Sequence, residues 1–135
     1  MARNIHLDIS YAQRNRKHMH TISDLRAADE AAVRASLALV THLRSEDLGR
    51  PTPCARWNLA DLLAHMTAQH RGFTASATGE GATLEAWRVR PLGADPAAEY
   101  AEASEQVIAA FAPEDALTRR FALPEFGEGV EVPGR

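Results

Sequence analysis

The sequence predicts an all-α protein, a bundle of three amphipathic helices. Alanine is abundant and β-branched residues are sparse, which favours helix over sheet. Apolar residues recur at helical spacing in three segments, and prolines and capping residues fall at the ends of those segments. A chain of 135 residues suits one domain, and 45% apolar residues suffice for one modest core.

Residues 1–20 stand apart. Arg3, Arg14, Arg16 and Lys17 face the single acid Asp8, and RNRKHMH carries no apolar stripe. A basic arm for an anionic surface and a disordered extension are the two readings, and the extension is the expected one. The domain itself is expected over residues 21–135. Its first helix is expected from about Asp24 to Arg44, capped by Thr21, Ser23 or Asp24. Leu25, Ala28, Ala32, Leu39 and Leu43 share one face, widened by Val33, Leu37 and Val40. His42 falls in the last turn, where it suits the helix dipole as a surface or capping residue.

Gly49, Pro51 and Pro53 break that helix. Cys54 follows in the loop, beside Arg56. A buried structural cysteine and an activated thiolate are both open there, and the structural role is the expected one. Helix two opens with Asn58 as N-cap and Asp61 at N3, a capping box, with Trp57 and Leu62 at hydrophobic-staple spacing. Leu59, Leu62, Leu63, Met66, Phe73 and Ala77 form its stripe, and Gly79 ends it. His65 lies on the shoulder of the stripe and His70 nearer its centre. The two are five residues apart, so they point in different directions and cannot chelate one metal. From spacing alone His65 is open between a structural histidine and a ligand.

A short helix is expected at Leu84–Val89, with Trp87 plugging it onto the bundle. Asp95 and Pro96 then start helix three as N-cap and N1. Its stripe is Tyr100, Ser104, Val107, Ile108 and Phe111, its solvated face Glu99, Glu102 and Glu105, and Pro113 ends it. Beyond Leu117 the pattern changes: Val130 and Val132 alternate with Glu131, as in a short extended segment.

The net charge of −3 argues against nucleic acid as a partner. No apolar run approaches a membrane span. A single cysteine forbids an internal disulfide and fits a cytoplasmic setting. Phosphate loops, nucleophile elbows and paired metal-ligand motifs are absent from the sequence.

PTPCARWNLADLLAHMTAQHRGF carries the pattern P-T-P-C-x-x-W-x-x-x-D-L-L-x-H. With LEAWR, PLGADPAAEYAEASEQVIAAF and RRFALPEFGEGVEVPGR, it resembles metal-binding proteins related to the N-terminal domain of mycothiol-dependent maleylpyruvate isomerase, in the DinB/YfiT-like superfamily. The resemblance runs from about Leu25 to the last residue. It implies a four-helix bundle holding a divalent metal, zinc foremost, with His65 as one of three ligands. The other two would come from a fourth helix, as a carboxylate or histidine and a histidine four residues on. It also implies a thiol such as mycothiol, a small electrophilic substrate, and transferase or isomerase chemistry. Pro133-Gly134-Arg135 stands where that helix is expected to begin, and no histidine follows His70. The expectation is therefore an incomplete DinB-like bundle, three main helices present and the fourth missing. The alternative function is a non-catalytic interaction module that self-associates, as a homodimer, to cover its apolar face.

Overall fold

The computed structural model describes residues 22–126 and 131–133. The basic stretch 1–20, expected to be a disordered extension, lies outside them. The described chain is mostly helical, as expected: α1 (Ile22–Val40), α2 (Leu59–Ala77) and α3 (Pro96–Phe111). A two-stranded antiparallel ribbon follows, pairing β1 (Arg120–Ala122) with β2 (Glu131–Pro133), Phe121 opposite Val132. The extended segment read at Val132 is thus a strand, held by a partner 11 positions earlier in the chain.

Local chemistry sets the helix ends. Asn58 Oδ1 accepts from the Asp61 amide at 2.9 Å, and Asp61 Oδ2 accepts from the Asn58 amide at 3.0 Å. That is the reciprocal box the sequence predicts, satisfying two otherwise orphaned donors. Asp95 Oδ1 accepts from the Ala98 amide at 3.0 Å, and Pro96 takes N1. Helix α2 ends at Ala77, and Gly79 follows at φ 90, a conformation that costs glycine nothing. Helix α1 ends at Val40, earlier than the expected Arg44. His42 Nδ1 donates to the Ala38 carbonyl at 2.7 Å and so caps its C-terminus.

Helices α1 and α2 each pack on α3 and only weakly on each other. The core gathers where all three approach: Val40, Leu63 and Tyr100 are buried, with Leu37, Leu43, Leu48 and Met66 packed around them. On α1 the buried face centres on Val33 and Val40, while Leu25 and Leu39 remain exposed at 43% and 75%. The sequence stripe is therefore rotated from the observed one, because α1 packs mainly on one neighbour, α3, and buries a narrow face.

On α2 the buried residues are mainly small: Ala64, Thr67, Ala68, Gly72, Ser76 and Ala77 accompany Leu63. Small side chains let α2 and α3 approach closely, so the helix buries more alanine than leucine. Trp87 leaves a short 3-10 turn (Leu84–Trp87), covers Gly72 and meets Phe73 edge-on, with ring centroids 4.9 Å apart. Its Nε1 donates to the Gly81 carbonyl at 2.8 Å, so the plug the sequence assigns to Trp87 is pinned by a hydrogen bond.

The glutamates of α3 are more than a solvated face. Glu105 meets Arg34 of α1 at 3.0 Å, and Glu99 Oε1 accepts from the Gly93 amide at 2.8 Å. The second contact fixes the segment 88–93 against α3.

Candidate functional site

The groove at His65 is built by the capping box. Because Asn58 and Asp61 fix where α2 begins, His65 projects from its second turn. The backbone before the cap is tied by the Thr52 hydroxyl, which donates to the Trp57 carbonyl at 2.8 Å. Trp57 therefore lies over His65, ring centroids 5.0 Å apart and tilted by 49°. Beyond the staple spacing to Leu62, Trp57 thus also has an aromatic partner in the imidazole of His65.

Across from them runs the segment that Glu99 holds. Together these walls enclose an open groove of about 740 Å³, lined among others by Arg56, Trp57, Asp61, His65 and Arg90. Arg56 is the described non-glycine residue with positive φ, at 70°. A left-handed conformation costs an L-residue about 1–2 kcal/mol. No hydrogen bond or ion pair among the described residues engages its guanidinium. Arg90 lies 3.8 Å from Glu85 at the exposed edge. Neither ring nitrogen of His65 has a hydrogen-bond partner among the described residues. The groove therefore offers positive charge, an aromatic wall and a free imidazole.

Its fit to a metal is a separate matter. His65 and Asp61 are one turn apart on one helix face, the right spacing for two donors. The Asp61 carboxylate is already engaged by the Asn58 amide. Among the described residues no three His, Cys, Asp or Glu side chains form a group able to hold a metal ion. Two guanidinium groups along the same walls also disfavour a dication. The donors present do not make the three-ligand set.

The other residues singled out in the sequence go elsewhere. Cys54 is exposed and free, at the surface and not in a packed core. Ser76 is buried and donates to the Ala122 carbonyl at 3.0 Å, joining α2 to β1. Ser104 is fully buried, and its hydroxyl has no partner among the described residues. His70 faces a different space, the cleft between α1 and α2, where its Nε2 lies 3.0 Å from the Tyr100 hydroxyl. Burial holds its imidazole below the ordinary pKa, against the opposing pull of Asp29.

Nothing in the sequence marks Arg90 as a groove residue, and Arg56 stands out there only as a neighbour of Cys54. A positive φ on arginine leaves no compositional trace, since glycine or asparagine is the usual marker. Arg90 reaches the groove through a contact between Gly93 and Glu99 that no local pattern encodes.

The model of the mycothiol maleylpyruvate isomerase N-terminal domain matches residues 30–132. The chain belongs to this family. The mycothiol maleylpyruvate isomerase N-terminal domain match includes the whole His65 groove, whereas Arg26 and Asp29 precede it. Two curated relatives are uncharacterized proteins of Mycobacterium tuberculosis, from strains CDC 1551 / Oshkosh and H37Rv. Each is 29% identical over 113 residues, covering 80% of this chain and 54% of the relative. The chain thus spans about half the length of the curated relatives it matches. No solved structure matches it. Among the described residues no helix is long and apolar enough to cross a membrane.

Proposed function

We propose that this protein is a small-molecule-binding helical domain whose groove at His65 takes an anionic ligand, a carboxylate-bearing thiol or electrophile. The observation that supports this most directly is Arg56. It is held at φ 70 on the groove wall with no partner for its charge among the described residues. Backbone strain beside an unpaired cation in a cleft is a pattern that favours a ligand role. The family name joins mycothiol, a thiol, to maleylpyruvate, a carboxylate substrate, which agrees in charge and chemical class.

In this reading the two arginines bind and orient carboxylate oxygens. Trp57 packs against the ligand body and excludes water from one side. His65 holds a ring nitrogen toward the ligand, where it accepts or returns a proton in thiol addition or isomerisation. The resemblance adds zinc at His65, with mycothiol as a cosubstrate. A metal would supply Lewis-acid activation of a bound thiol. That chemistry needs two donors beyond those the groove provides, so the steps above run through the protein side chains. A cytoplasmic setting belongs to the same proposal.

Calorimetric titration with maleate, a plain dicarboxylate, tests it. Binding that weakens with salt is expected, with a further loss of roughly tenfold or more in Arg56→Ala and in Arg90→Ala. Absence of binding in all three proteins rejects the reading. A non-catalytic, self-associating module would then be the better account, with a dimer expected in sedimentation. Metal analysis of the purified protein is the companion measurement. Stoichiometric zinc that His65→Ala abolishes would replace the arginine-centred reading with the metal-centred one.

A further inference from the structure

A second cavity lies away from His65, in the cleft that α1 and α2 leave between them over α3. Its volume is about 480 Å³, within the range of small-molecule pockets. Val33, Phe73, Val107 and Phe111 give it apolar walls. Among the described residues its charged groups are one cation and one anion, Arg26 and Asp29, and its neutral polar groups are Gln69 and His70. A balanced pair of charges and apolar walls suit a neutral ligand.

The hydrogen bonds behind His70 fix which nitrogen carries its proton. Ser36 Oγ lies 2.7 Å from the Val33 carbonyl oxygen. Two oxygens that close need a proton between them, and a carbonyl has none, so Ser36 donates it. Ser36 Oγ also lies 2.7 Å from Tyr100 Oη. With the serine proton spent on Val33, that contact must be a donation from Tyr100 to Ser36. The tyrosine proton is then committed in turn. His70 Nε2, 3.0 Å from Tyr100 Oη, must therefore be the donor in the last contact. A neutral imidazole has one N–H, so Nδ1 carries a lone pair. The burial that lowers the pKa of His70 keeps the ring neutral at pH 7. Nδ1 has no hydrogen-bond partner among the described residues.

We propose that this cleft is a binding site for a neutral ring compound bearing a hydroxyl group, whose O–H donates to His70 Nδ1 while its ring packs between Phe73 and Phe111. The chain Val33–Ser36–Tyr100–His70 takes one residue or more from each helix. It leaves His70, which lines the apolar cavity, with an unengaged hydrogen-bond acceptor, and specificity for a donor follows. Ligands of the same shape without an O–H leave that acceptor unmet. This site shares no residue with the His65 groove, so either can fail without the other.

Two measurements on the full chain test it, with phenol as the probe and anisole and toluene as controls. Two-bond nitrogen–proton correlation spectra of the histidine rings report the tautomer directly. His70 is expected as the Nε2–H form, with Nδ1 moving on phenol addition and with shifts at Val33, Phe73 and Val107. Phenol should bind about three- to tenfold tighter than anisole or toluene, the worth of one hydrogen bond. Ser36→Ala removes the acceptor for the Tyr100 proton. Tyr100 then donates to His70 Nε2, Nδ1 gains the N–H, and the preference shifts from phenol to anisole. An Nδ1–H form in the unaltered protein overturns the proposal. So do equal affinities for phenol and toluene, or phenol shifts confined to residues outside the cleft. The spectra of the unaltered protein decide the matter even where Ser36→Ala does not fold.

Discussion

Ser104 sits fully buried on α3, and its hydroxyl has no acceptor among the described residues. An orphaned polar group in a protein interior costs about 1–3 kcal/mol. Ser104→Ala should therefore raise stability by about 1 kcal/mol, seen as a higher urea midpoint at unchanged slope. A lower midpoint would mean that the hydroxyl is satisfied after all. Single residues are also where reading from sequence succeeds or fails most sharply. Asn58, Asp61, Asp95 and Pro96 act as expected because each cap is closed by residues three apart or fewer. Ser36, Tyr100 and His70 form one chain, yet Ser36 and Tyr100 are 64 residues apart. Nothing local connects them, and His70 reads in the sequence as an unremarkable stripe residue. The motif singles out His65 as a metal ligand, but Arg56 and Arg90, which line the same groove, leave no such mark in the sequence.

At the level of elements, α2 shows what an apolar stripe leaves out. Periodicity gives weight to large residues, and Phe73 is in fact 42% exposed while Ala68 and Gly72 are buried. The helix is placed by what its small residues permit. A Cβ at Gly72 would come within 2.2 Å of a carbon of the Trp87 indole ring. Gly72→Ala must displace Trp87 from the helix and strain its bond to the Gly81 carbonyl. The expected loss is about 1–3 kcal/mol, as for other overpacked sites. Thermal unfolding checks the loss. Tryptophan fluorescence shifted to the red in the variant would locate its cause at the displaced ring. The gain in intrinsic helix propensity from glycine to alanine, about 1 kcal/mol, works the other way. An increase in melting temperature would show that Trp87 accommodates the methyl group freely.

The whole molecule has a lopsided architecture. Helix α3 is gripped from two sides, α2 by α3, Trp87 and the ribbon, and α1 mainly by α3, with Val40 reaching the core beside Leu63 of α2. Among the described residues Arg34–Glu105, Ser36–Tyr100 and the Arg26 guanidinium, which donates to the Ala112 carbonyl, are the polar ties that fasten α1. The first is exposed, and pairs of that kind contribute about 0–1 kcal/mol. The cleft between α1 and α2 therefore has a consequence for the order in which the structure comes apart. Helix α1 can swing off as a unit while α2, α3 and the ribbon stay assembled, a partial opening cheaper than complete unfolding. Native-state amide exchange should find the middle of α1 opening below the global free energy, with the amides from Leu63 to Gly72 at the ceiling. Equal protection in all three helices would contradict this. A hydroxyl compound seated against His70 would fill the cleft, and α1 would then exchange at the pace of the remainder.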